Sequence, residues 1–287
     1  MSSQAKCKFT FSPLKLFSKL YKMYNYAFLL ESVEGPKKLA RYSFIGFDPE
    51  VSIKIKNDKA EVSKSKTGEK FQARTNSPLN FIKKTMKPYQ TLDKTYRFIG
   101  GAVGYVSYDI IRGWEKIPCH AKDDLEFPDI EMGLYNDGII FDHSERRMIY
   151  YYLNRNRFSE LNEILIDNYD DEEELFYASK RLNITQEKFE DIVEKAKEYI
   201  YSGDIFQVVL SKRYEFNVKG SLIGFYWNLR RINPSPYMYF IKMRDRQIVG
   251  SSPEMLVRVE NEIVETFPIA GTRPRKKGKA QNAALVK

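Results

Sequence analysis

The segment Val51-Ser-Ile-Lys-Ile-Lys56 alternates apolar and polar residues without a break, and Asn57-Asp58 then turns the chain back into Ala60-Glu-Val62. Successive side chains of a strand point to opposite faces, so a period of two marks a sheet buried on one side. A connection of only two residues leaves room for nothing but an antiparallel return. A second pair of apolar segments, 138–141 and 148–153, flanks a polar turn and reads as another hairpin. The 20 Tyr and 19 Phe favour the same outcome, because aromatic side chains fit a pleated, half-buried surface.

Helical signals are fewer. Asn76-Ser77-Pro78 looks like a helix start, with Pro78 in the first turn and Leu79, Phe81, Ile82 and Met86 behind it. Phe189, Ile192, Val193, Ala196 and Ile200 recur at helical spacing, and Gly203 suits the C-terminal cap. Ser221 can cap a further helix carrying Leu222, Phe225, Tyr226 and Leu229. Residues 97–108 and 206–210 read as buried strands, and 237–241, 247–250 and 263–269 as three more. Strands with intervening helices but no regular βαβ spacing imply an α+β fold of antiparallel sheets flanked by helices. The acidic run Asp167-Asn-Tyr-Asp-Asp-Glu-Glu-Glu174 reads as a linker between a lobe at 1–165 and another at 180–287.

Composition removes several functions. The net charge is +9, yet the lysines are scattered, so nucleic-acid binding is not expected and attraction of anionic substrates is. No apolar run approaches the roughly 18 residues of a membrane span, and the start carries no apolar signal segment, so no membrane role and a cytoplasmic address are expected. Two cysteines, Cys7 and Cys119, build no disulfide framework. Gly100-Gly101-Ala-Val-Gly104 is not a phosphate loop, and its glycines read as points of close backbone approach. His120 and His143 lie in no identifiable nucleophile motif. Chemistry alone therefore gives an α+β enzyme or binding domain.

Seven segments carry more. They are Leu29-Leu30-Glu31-Ser32; Ala40-Arg41-Tyr42-Ser43-Phe44-Ile45-Gly46; Gly100-Gly101-Ala-Val-Gly104-Tyr105-Val-Ser-Tyr108-Asp109; Ser202-Gly203-Asp204-Ile205-Phe206-Gln207-Val208-Val209-Leu210-Ser211; Asn233-Pro234-Ser235-Pro236-Tyr237-Met238; Gly250-Ser251-Ser252-Pro253-Glu254; and Pro268-Ile269-Ala270-Gly271-Thr272-Arg273-Pro274-Arg275. In this order they resemble component I of anthranilate synthase, a chorismate-utilising enzyme. The resemblance implies that chorismate and ammonia become anthranilate and pyruvate, the first committed step to tryptophan, with a glutamine amidotransferase subunit supplying the ammonia.

The resemblance also implies residue roles. Gly271 and Thr272 would hold chorismate. Where aminodeoxychorismate synthases usually carry a nucleophilic lysine this chain has Ala270, and where isochorismate and salicylate synthases carry a water-activating lysine it has Gln207. An alanine methyl is no nucleophile and a glutamine no such base, so both positions favour ammonia as the nucleophile. Feedback inhibition by L-tryptophan maps to Glu31, Ser32, Pro236, Tyr237 and Met238, with the Glu31 carboxylate expected to meet the ligand's ammonium. The resemblance places the Mg²⁺ ligands and the catalytic residues of the family beyond the octapeptide and outside residues 1–287. The expectation is a chain shortened at its C-terminus, incomplete in its catalytic sheet and inactive alone. The alternatives are a non-catalytic tryptophan-binding protein and a relative of aminodeoxychorismate synthase, the latter disfavoured by Ala270.

Overall fold

The computed structural model describes residues 12–33, 41–87, 96–166, 174–269, 271 and 274, and the backbone of 3–8. In chain order the elements are β1 (Ser3–Lys8), α1 (Pro13–Met23), β2 (Tyr26–Glu31), β3 (Tyr42–Phe47), β4 (Val51–Lys56), β5 (Lys59–Lys64), β6 (Lys70–Arg74), α2 (Pro78–Met86) and β7 (Gly101–Val106). A 3-10 turn at Tyr108–Gly113 precedes β8 (Ile130–Tyr135), β9 (Asp137–Asp142), β10 (Arg147–Tyr152) and α3 (Phe158–Ile166). Then come β11 (Phe176–Leu182), α4 (Gln186–Tyr201), β12 (Tyr214–Lys219), α5 (Ile223–Ile232), β13 (Tyr237–Met243), β14 (Arg246–Ser252), β15 (Met255–Glu260) and β16 (Ile263–Phe267).

Met1–Tyr169 together with Leu229–Lys287 forms one compact unit, and Asp170–Asn228 a second. The first unit holds a seven-stranded sheet, β1-β10-β9-β3-β2-β13-β14, and a five-stranded sheet, β6-β5-β4-β8-β7. All of their pairings are antiparallel. The larger sheet joins strands from both sides of the acidic stretch, because β13 pairs with β2. Residues 167–173 of that stretch lie outside the described residues.

Alternation decides which side chains meet. On one face of the seven-stranded sheet Phe240 lies against Phe17 and Tyr21 of α1, at ring-centroid distances of 5.1 and 5.4 Å. Ser12 caps α1 by accepting from Lys15 N–H, and Leu16, Phe17 and Leu20 form its buried stripe. On the other face Phe28, Ile241 and Met243 join Val103 and Tyr135 of the five-stranded sheet in one buried cluster. The Phe28 and Tyr135 rings meet edge-on at 4.8 Å. The expected hairpin at 51–62 forms as β4–β5, with Asn57 in the left-handed region at φ 53°.

Two strand expectations are corrected. Residues 97–108 yield β7, an edge strand in which only Val103 is buried, because it pairs on one side alone. Its Gly104 is nonetheless required, since a Cβ there would stand 2.0 Å from the Glu131 carbonyl oxygen. The expected buried strand at 206–210 is an irregular, mostly exposed segment, with Phe206 98% exposed. A strand is stable only as part of a ladder, and no described strand pairs with it.

In the second unit, Thr185 caps α4 and Gly203 ends it at φ +83°. The β11 and β12 strands pair with each other alone. No residue from Glu174 to Gly220 is buried. Ser221 Oγ accepts from Ile223 N–H at the start of α5. Strands β15 and β16 form a separate two-stranded ribbon in the first unit; β15 is an element the sequence pattern did not reveal.

Candidate functional site

The end of β2 and the start of β13 form one junction. Met238 lies directly opposite Glu31 in the ladder, and Val33 N–H donates to the Ser235 carbonyl at 3.2 Å. Glu31 and Met238 thus meet across two neighbouring strands, and Ser32, Pro236 and Tyr237 adjoin them in sequence. The loop before β13 is pinned from β14: Ser251 Oγ donates to the Asn233 carbonyl at 2.5 Å and lies 2.9 Å from Ser235 Oγ.

The pleat divides these residues. Directly paired residues share a face, so Glu31 stands in a row with Met238 on one side and Ser43 on the other, facing the α1 layer. Tyr237, one step along β13, faces the five-stranded sheet, as does Tyr42, and Ser32 follows the last residue of β2. Ser32 Oγ is buried and has no hydrogen-bond partner among the described residues. Leaving such a group unsatisfied costs about 1–3 kcal/mol, which a ligand can return.

On the α1 side the Glu31 carboxylate is committed to Arg230. Arg230 Nη2 donates to Glu31 Oε1 at 3.4 Å, and Nε lies 3.3 Å from Oε2, with the Glu31 side chain 2% exposed. The two residues are 199 positions apart in sequence. Ser43 Oγ lies 2.8 Å from His143 Nε2. Burial, and then the nearby Arg230 guanidinium, hold the His143 pKa below its ordinary value, while Asp142 opposes them. Ser43 is 1% exposed, so this serine–histidine contact presents no accessible nucleophile. Arg230 and His143 stand in no role that the sequence pattern assigned. The signal available for Arg230 was a cation three residues before the Asn233-Pro-Ser-Pro motif.

The other expected site residues are not gathered at this junction. Gly271 is exposed, and a Cβ there would meet nothing within 4 Å. Close by in sequence, Ile269 N–H donates to Glu254 Oε1 at 2.8 Å. Ala270 and Thr272 lie outside the described residues. Gln207 is exposed on the irregular segment of the second unit. Among the described residues no group of three or more His, Cys, Asp or Glu side chains could hold a metal ion, so these residues do not fit the implied Mg²⁺. Among the described residues no helix is long and apolar enough to cross a membrane.

These features define a class. Residues 25–287 match the family described as chorismate binding enzyme, and the chain belongs to that family. Within it, the chain is 42% identical over 265 residues to anthranilate synthase component 1 of Methanothermobacter thermautotrophicus, covering 92% of this chain and 55% of that one. It is 36% identical to anthranilate synthase component 1 of Saccharolobus solfataricus, covering 92% and 56%. Its fold is similar to a crystal structure of anthranilate synthase component I from Streptococcus pneumoniae, with a TM-score of 0.65 and 33% identity over 80% of this chain and 54% of that one. The chain therefore spans somewhat more than half the length of the relatives it matches.

Proposed function

We propose that this chain is part of an anthranilate synthase component I, acting in the cytoplasm with a glutamine amidotransferase subunit. The reaction is addition of ammonia to chorismate with loss of water and pyruvate to give anthranilate. Gly271 and Thr272 hold the substrate, a backbone N–H and a hydroxyl being suited to a carboxylate. Ala270 and Gln207 leave the nucleophile's place to ammonia, since neither side chain can attack or deprotonate water. The Mg²⁺ ligands that the resemblance implies are not among these residues.

L-tryptophan binds where β2 meets β13. The observation that carries this reading is the ladder register that sets Glu31 opposite Met238 and so brings together two motifs from distant parts of the chain. The indole lies on the Tyr237 face, beside Ser32, with a polarisable aromatic neighbour and an unsatisfied hydroxyl.

Calorimetric titration of L-tryptophan into a folded, monodisperse sample tests the reading. Binding is expected, with a rise in melting temperature because the ligand selects the native state. Ser32→Arg should abolish it by bulk and charge. Tyr237→Ala, on the face given to the indole, should weaken it by about 1–3 kcal/mol through lost apolar contact. Absence of heat at millimolar ligand, or unchanged affinity in the Ser32 variant, would refute the site.

A further inference from the structure

We propose that Glu31 and Arg230 are a positioning pair for this tryptophan site, one that fixes its geometry without touching the ligand. The proposal rests on the tryptophan reading above and changes the part that Glu31 plays in it. A carboxylate aligned with a ligand's ammonium has to stand on the ligand's face of the sheet. Glu31 stands on the opposite face from Tyr237, and it is nearly closed to solvent. Its charge is already met by the Arg230 guanidinium at 3.3–3.4 Å.

The pair joins the two chain segments that build the site. Arg230 lies in the last turn of α5, three residues before Asn233. The loop from Asn233 to Pro236 carries the chain from that turn into Tyr237. Ser251 holds this loop from β14, and Val33 N–H holds it from the end of β2. The ion pair adds a tie between β2 and the last turn of α5, from which that loop departs. Removing Arg230 weakens the compensation of the buried Glu31 carboxylate, whereas removing both partners leaves no such charge to compensate. Ser43 and His143 complete the polar floor around the pair.

The test compares L-tryptophan with indole-3-propionate, which keeps the ring and carboxylate but lacks the amine. Each is titrated into wild type, Glu31→Gln, Arg230→Met, Arg230→Lys and the Glu31→Gln/Arg230→Met double variant, all first shown to melt cooperatively. A positioning role predicts that Glu31→Gln and Arg230→Met each weaken both ligands by the same factor, about tenfold, and that the double variant is no worse than either single one. Arg230→Lys, which keeps the charge, should stay within about threefold of wild type.

Loss of tryptophan affinity in Glu31→Gln with indole-3-propionate unaffected would place the carboxylate on the ammonium and overturn the proposal. So would wild-type affinity in Arg230→Met, or losses that multiply in the double variant. If the analogue binds too weakly to titrate, the double variant decides on tryptophan alone. If wild type itself binds no tryptophan, the functional reading fails and the pair has no site to position. Binding by wild type with any of the contrary variant results removes only the positioning role.

Discussion

Strand β4 and helix α4 carry equally clear apolar patterns and end in opposite states. In β4, Val51, Ile53 and Ile55 are at most 2% exposed, and the residues between them are half-buried. In α4 the stripe from Phe189 to Ile200 contains no buried residue, although both caps are formed. Periodicity states which face needs cover, whereas burial requires a second surface. For β4 that surface is α2 with the neighbouring strands, which gather Ile82, Ile130 and Leu134 onto it. Local capping can form a helix, but most helical stability comes from packing of its apolar face. The packed sandwich and the bare second unit should therefore respond oppositely to the same kind of substitution.

The largest contrast is expected at Arg157. Its side chain is 4% exposed and donates to Asp137 through two nitrogens at 2.9 and 2.7 Å, to Asp48 at 3.1 Å and to the Phe47 carbonyl at 3.1 Å. Arg157→Met strands the buried Asp137 carboxylate and should cost about 3–5 kcal/mol in denaturant melts. Lys197→Met, which breaks the exposed pair with Glu194 on α4, should leave the melt unchanged. Equal effects at both positions would dissolve the comparison.

Glycine gives a smaller contrast, of opposite sign. Gly104→Ala drives a methyl into backbone atoms of β8 and should destabilise at the upper end of the about 1–3 kcal/mol typical of overpacking. Gly224→Ala in α5 meets open space and should stabilise by roughly 0.5 kcal/mol through helix propensity. Paired thermal melts check both.

Acid sharpens the comparison on the packed side alone. Burial tends to raise the Asp142 pKa, but hydrogen bonds from Arg41 and Ser144 and from the Glu145 N–H outweigh it and hold the carboxylate at about 2. Its unfolded value is near 3.8. A group whose pKa is depressed in the fold stabilises above the unfolded value, and that contribution is lost as pH falls from about 4 to 2. Arg41→Gln should shrink this step in the pH dependence of the melt, because the Ser144 and Glu145 hydrogen bonds remain.

The smallest effect belongs to the bare segment. Phe206 is 98% and Val209 82% exposed, so Phe206→Ser and Val209→Ser should each shift stability by less than about 0.5 kcal/mol. They should also reduce self-association, measured by light scattering, because they remove exposed apolar area. A marked loss of stability in either would mean that the segment is covered in solution.

What could be read from the sequence followed from how local each cause is. The β4–β5 and β9–β10 hairpins, the Pro78 start of α2 and the α4 helix rest on neighbouring residues, and all form as expected. The β2–β13 pairing rests on contacts between distant segments, and only the resemblance hinted at it. The side on which Glu31 would fall was not legible. A one-residue change of register reverses every side chain of a strand, and the register appears only when both strands are placed. The 206–210 segment misled for the converse reason, since its apolar run is a strand only when another strand lies beside it.

The most direct test of the account follows amide hydrogen exchange across residues 27–33 and 235–241, with and without saturating L-tryptophan. If the ladder pairs Glu31 with Met238 and the ligand sits at that junction, exchange should slow in both segments together and stay unchanged in β5 and β6. Protection of one segment without the other, or of neither in a sample that binds tryptophan, would contradict the account.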